Sequence, residues 1–269
     1  MKTLSNHTIL YDDDCSACAS YTQVFVATKM IEAIGRQPFS KAINNHKEID
    51  VLRANNEIAM VNHETGDVTY GIDSLFKIFE HNFPLLKVVF RIKIFRFLMS
   101  KLYFFISYNR KVIVPGDNFE SCNTCAPTLN YTYRWAYIGF AWVVTSLVLT
   151  SYAQLLTPII SETNLYREFI ICGGQIVFQA LIVGVVYPQR LIHYLGNMMT
   201  VSLGGAVLLI PALLLQVVTV SNLFFVGYFL VVVALMFFEH VRRVKIIELP
   251  WFISLSWVIY RVIVLYIIY

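Results

Sequence analysis

Four of the five cysteines fall in two Cys-x-x-Cys pairs, Cys15/Cys18 and Cys122/Cys125, and two kinds of chemistry use that spacing. One is dithiol exchange. A thiolate attacks a disulfide and a second thiol one helical turn away resolves the mixed product. The other is metal binding, in which four thiolates from two such pairs close a zinc site. Cys15 and Cys122 are roughly a hundred residues apart, far outside compact zinc-ribbon spacing, so the spacing favours redox pairs. Zinc at Cys15, Cys18, Cys122 and Cys125 stays open, because a linker of about 20 residues reaches far at ~3.3 Å per residue. Dithiol exchange itself requires no cofactor.

The surroundings of the first pair are specific. Thr8-Ile9-Leu10-Tyr11 is a short apolar strand, followed by Asp12, Asp13 and Asp14 and then by Cys15-Ser16-Ala17-Cys18. A helical pattern continues through about Ile34 and closes at Gly35. A Cys-x-x-Cys at a strand-to-helix turn is the thioredoxin-type arrangement. The helix N-terminus offers free N–H groups and a partial positive charge, which stabilise a thiolate at Cys15. Cys15, at the exposed end, is expected to be the more accessible nucleophile and Cys18 the resolving thiol. The three carboxylates oppose ionisation and predict a less acidic Cys15. Downstream, Gln37–Ile43 reads as a second strand, Lys47–Arg53 as a helical turn or two, Glu57–Asn62 and Val68–Tyr70 as a hairpin, and Ile72–His81 as a helix.

These residues resemble the DCC family of thiol-disulfide oxidoreductases. Asp12 through Cys18 resembles its Asp-x-x-Cys-x-x-Cys signature, Gly66 through Asp73 its later turn, strand and helix start, and Tyr103 through Tyr108-Asn109-Arg110 its closing segment. The matches occur in order and cover roughly residues 8–111. Two departures stand out: Asp13 replaces a usual glycine, and no proline precedes the Glu57–Asn62 strand. The resemblance implies that Asp12, Cys15 and Cys18 are the functional set, in an α/β thioredoxin-like domain. A protein disulfide is the substrate it suggests, and a bacterial inner membrane the location.

The rest of the chain must live elsewhere than in water. Hydrophobic residues make up 57% of the 269, and the excess is concentrated after Tyr133. About five apolar spans can be drawn: Trp135–Leu156, Phe169–Tyr187, Leu195–Val217, Leu223–Phe238 and Leu249–Tyr269, with a reversal at Ser221-Asn222. The fold class expected is therefore the α/β domain followed by an all-α transmembrane bundle. Its divisions are a DCC domain over 1–83, basic amphipathic closing helices over 84–111, a linker with the second pair over 112–133, and the membrane domain over 134–269.

Arg110, Lys111 and Arg134 precede the first span, Arg190 and His193 follow the second, and Arg242, Arg243 and Lys245 follow the fourth. The positive-inside pattern places the N-terminal domain in the cytoplasm and the C-terminus in the periplasm. No secretory signal is read at the N-terminus. A net charge of +4 is too small to argue for nucleic acid. Between Pro84 and Lys111 there are seven basic residues and no acidic one. That stretch suits an anionic lipid surface, or equally a helix pair packed on the first domain with its cations snorkelling.

Inside the spans, Arg261 carries a charge, and Gln175 and Gln179 share a helix face. The three could hydrogen-bond as helix glue, or line a site for a polar head group such as a quinone. Cys172 reads as a packing residue, and Gly173-Gly174 and Gly204-Gly205 as close-approach positions. Besides the oxidoreductase, an accessory or assembly subunit of a larger membrane complex fits the sequence, its cysteines binding zinc or holding shape. The bilayer and other membrane proteins are the partners expected in either case.

Overall fold

The structure, a computed structural model, describes residues 2–42, 48–116, 127–157, 159–160, 164–215 and 221–268. The chain divides into two compact units, Met1–Tyr133 and Arg134–Tyr269.

The first unit is built on β1 (His7–Tyr11), which sits inside a mixed sheet of order β2-β1-β3-β4. β2 (Arg36–Pro38) runs parallel to β1, and the hairpin β3 (Ala59–Asn62) and β4 (Val68–Tyr70) runs antiparallel. Successive side chains of a strand point to opposite faces. Ile9 accordingly enters one core with Phe25, Met60 and Ile78, and Leu10 enters another with Phe39, Ala59 and Val61. Helices α1 (Ser16–Ala27) and α4 (Ile72–Asn82) cover the first face. Short α2 (Phe39–Ala42) and α3 (Val51–Asn56) lie on the second. The hairpin turn needs Gly66 at φ 74°, a conformation that costs glycine least.

Three sequence boundaries shift. The first helix ends at Ala27, not near Ile34, because Lys29 adopts φ 57° and Met30 N–H returns to the Phe25 carbonyl at 2.8 Å. This is a Schellman-type stop without the usual glycine. The second strand is cut to Arg36–Pro38 and α2 starts at Phe39, since Pro38 carries no N–H to extend a ladder. The next helix starts at Val51, where the Asp50 carboxylate accepts from Arg53 N–H at 3.1 Å.

After α4, α5 (Leu86–Phe90) and α6 (Lys93–Ile113) close the unit. Phe76, Phe90 and Phe95 stack across α4, α5 and the start of α6. Further along α6, the Tyr103 hydroxyl accepts from Ile58 N–H at 2.8 Å and Ser107 donates to the Asn56 carbonyl.

The second unit has four helices long and apolar enough to cross a membrane: α7 (Tyr131–Leu155), α8 (Leu165–Val186), α9 (Leu191–Leu215) and α10 (Asn222–Ile246). A shorter apolar helix, α11 (Phe252–Ile268), follows. Two glycines permit close approach. A Cβ at Gly174 of α8 would collide with the Tyr260 hydroxyl of α11, and one at Gly205 of α9 with Met236 of α10. Gly173 makes only ordinary contact with Trp142, and Gly204 faces open space.

Ile78 is fully buried where α4 meets the sheet. Ile78→Ala should cost the first unit about 2–5 kcal/mol through lost transfer energy and a residual cavity. Urea unfolding followed by hydrogen exchange of the β1 and β3 amides should show an earlier midpoint with an unchanged slope.

Candidate functional site

The dithiol stands where β1 turns into α1. Cys15 is the N-cap of α1, with extended backbone, and its Sγ accepts from Cys18 N–H at 3.3 Å. Cys15 N–H in turn donates to the Asp12 carbonyl at 3.1 Å, which folds the aspartate turn tightly against the helix start. Both cysteines are free thiols.

The aspartates do not act together. Asp12 is buried and makes an ion pair with Arg110 of α6 at 2.9 Å. Its other oxygen accepts from Asp14 N–H at 3.1 Å. Asp13 accepts from the Ser40 hydroxyl at 2.6 Å, and Asp14 lies 3.9 Å from Lys111. Each carboxylate is occupied by a partner, which blunts its effect on the thiol.

The expected rise in the Cys15 pKa is therefore overturned. Hydrogen bonding from the Cys18 thiol lowers Cys15 from 9.0 to about 7, with smaller help from Cys18 N–H and Arg110. Burial and the Asp12 charge oppose this and lose. The proton is held on Cys18, whose pKa rises because it donates to the Cys15 thiolate and is buried. Accessibility is also reversed. Cys15 is only 1% exposed, while Cys18 is partly exposed. The N-cap position points the Cys15 sulfur inward along the helix end.

That sulfur faces a cavity of about 510 Å³. Its polar end is formed by Asp12, Cys15, Cys18 and Arg110, with the phenols of Tyr21 and Tyr103 also on the wall. Phe25, Leu75, Phe79 and other apolar side chains form the remainder. Arg110, Tyr21 and Tyr103 were not picked out as site residues from the sequence. Arg110 stood there as one cation among seven, and the Tyr…Asn-Arg segment was the only signal available for it.

Cys122 and Cys125 lie outside the described residues, so the second redox pair and the shared zinc site fall there too. Among the described residues no group of three or more His, Cys, Asp or Glu is arranged to hold a metal.

In the second unit, the expected hydrogen bonds between Arg261 and the glutamines are not present. Gln179 is buried and its Oε1 accepts from the Tyr194 hydroxyl at 3.0 Å, with the Ser256 hydroxyl 3.2 Å away. Tyr194 also meets His240 Nε2 at 3.1 Å, and His240 Nδ1 meets Ser254 at 3.2 Å. Gln175 is buried with neither side-chain polar atom partnered among the described residues. Arg261 stacks over the Trp257 ring at 4.9 Å, and that ring stacks on His240. Tyr194, His240, Ser254, Ser256 and Trp257 were missed from the sequence, since single polar or aromatic residues in apolar helices carry no spacing signal. Cys172 is buried, as packing residues are.

No protein-family model, curated protein or solved structure matches the chain.

Cys15 should alkylate with a midpoint near pH 7, and Cys18 only at far more alkaline pH. Arg110→Gln removes a positive charge that favours the thiolate, so the Cys15 midpoint should move up. Mass spectrometry of each thiol after small-reagent alkylation, from pH 5 to pH 10 (about the range where thiols titrate), gives both midpoints.

Proposed function

We propose that the chain is a membrane-anchored thiol-disulfide oxidoreductase of thioredoxin-like type, working through Cys15 and Cys18. The observation that carries this reading is the Cys15 sulfur at a helix N-cap, with its pKa lowered to about 7 by a hydrogen bond from its own resolving thiol. A thiol with that pKa is substantially thiolate at neutral pH and near the optimum for attack on a disulfide. The Cys15 thiolate attacks one sulfur of the substrate disulfide, the S–S bond breaks, and the other sulfur leaves as a thiolate that takes a proton. Cys18 then loses its proton, attacks the Cys15 sulfur and releases the substrate thiol. Asp12 acts through Arg110, holding that guanidinium where it supports the thiolate.

In this reading the first unit is cytoplasmic and the second crosses a bacterial inner membrane five times. The 17 residues of α11 rise about 26 Å, close to a hydrocarbon core of ~30 Å, and a short helix is accommodated by local thinning. The basic loops after α8 and α10 fall on one side.

Cys18→Ser should accumulate a mixed disulfide with glutathione through Cys15 when treated with glutathione disulfide, because nothing resolves it. Cys15→Ser should accumulate none at Cys18. Equal adducts on both variants, or none on either, would end the assignment of nucleophile and resolver.

The orientation has its own test. A reporter fused after Tyr269 should read as periplasmic and one before Met1 as cytoplasmic. Both ends on the same side would show that α11 does not cross.

A further inference from the structure

We infer that, besides disulfides, the Cys15–Cys18 dithiol passes its electrons to a lipid-soluble quinone, which enters the apolar cavity from a bilayer surface on which α6 rests. This inference depends on the oxidoreductase reading and adds a second electron acceptor at the same site.

Three observations converge on it. The Cys15 sulfur is buried and faces a cavity of about 510 Å³, a volume that suits a small ligand. The cavity wall is mostly apolar, so it favours a molecule soluble in lipid over a charged peptide. Tyr21 and Tyr103 stand on that wall with their phenols kept protonated by burial, Tyr103 at about 12 and Tyr21 also raised. Such phenols can donate to a carbonyl oxygen.

The entrance supplies the direction. Val24 and Ile106 line the cavity yet are 54% and 51% exposed, which makes them its lip. Ile106 ends a ridge of exposed residues four apart along α6: Ile94, Leu98, Leu102 and Ile106. An apolar ridge of this length on a water-facing helix needs a cover. Lys93 and Lys101 are exposed on the same helix, Lys87 and Arg91 are exposed just before it, and none pairs with an acid among the described residues. Cations flanking an apolar ridge complement anionic lipid, so the occupant is the membrane surface.

The chemistry balances. The Cys15 thiolate adds to a quinone carbonyl carbon, and the displaced electron pair on oxygen takes from the medium the proton that Cys15 gave up on ionising. Cys18 then attacks the Cys15 sulfur. As the S–S bond forms, the S–C bond breaks and its electron pair passes through the ring to the second oxygen, which takes the proton lost by Cys18. The dithiol loses two electrons and two protons, and the quinone gains both as quinol.

The test uses the full chain with Cys122→Ser and Cys125→Ser, reduced and placed in nanodiscs of anionic phospholipid. Decyl-ubiquinone should be reduced with one quinol formed per dithiol, read by the loss of quinone absorbance. Ile94→Glu with Leu98→Glu, on the exposed ridge but not on the cavity wall, should slow that reaction about tenfold or more, while oxidation by glutathione disulfide stays within about twofold. The ridge residues are exposed, and the glutathione rate reports that the variant is folded. Oxidation by glutathione disulfide without any quinone reduction overturns the quinone and leaves the oxidoreductase reading standing. Equal slowing of both oxidants by the ridge variant also overturns it. Oxidation by neither compound overturns the oxidoreductase reading itself.

Discussion

The Asp12–Arg110 ion pair is the interaction on which the first unit depends. It joins the turn after β1 to the last helix of the unit across almost a hundred residues, at 2.9 Å, with Asp12 buried and Arg110 nearly so. Burying two charges costs several kcal/mol per ion, on the order of what their attraction returns, unless their remaining hydrogen bonds are satisfied. Here many are. Arg110 also donates to the Asn55 carbonyl at 2.9 Å and to Ser107 at 3.3 Å, while Asp12 accepts from Asp14 N–H. The pair therefore works less as a source of stability than as a register pin. It brings Tyr103, Ile106 and Ser107 of α6 to the dithiol, and those residues form one wall of the cavity. It acts with the Tyr103–Ile58 and Ser107–Asn56 hydrogen bonds, which hold the same stretch of α6 against the sheet.

The same pair decides the electrostatics of Cys15. Three aspartates just before a thiol ought to oppose its ionisation, and the Asp12 charge does so. The guanidinium placed against Asp12 more than offsets it at the sulfur. The larger contribution is local: a proton shared between Cys18 and Cys15 at one turn's spacing. Placing the acidic residues outside the helix, at β1's end, leaves the first turn of α1 free of acids and its N–H groups free to face the sulfur.

How much of this was legible follows the range of the interactions. The strand Thr8–Tyr11, the hairpin around Gly66 and the helix from Ile72 are written in local periodicity and turn residues, and they appear where that pattern puts them. The stop of α1 was not legible, because Lys29 takes a left-handed conformation that glycine or asparagine usually announces. The function of Arg110 could not be separated from six other cations by spacing, since its partner is distant in sequence. The burial of Cys15 was misjudged for a related reason: a helix N-terminus is commonly exposed, but α6 covers this one.

In the membrane unit the composition showed long apolar helices but not what joins them. Gln179 stands out in the sequence because two glutamines four apart are conspicuous in an apolar helix. Its oxygen is met from two other helices, by Tyr194 on α9 and Ser256 on α11, and Tyr194 in turn meets His240 on α10. Each such bond contributes on the order of 0.6 kcal/mol in a membrane protein, so their number sets which faces meet more than how tightly. Gly174 and Gly205 do complementary work by letting α8 reach α11 and α9 reach α10. Arg261 joins neither scheme. Its guanidinium lies on Trp257, on the far side of the ring chain that leads to His240, and ring faces there take the place an acidic partner would otherwise fill. Trp257 is on the same helix as Arg261, so this contact positions the cation without joining α11 to a neighbour.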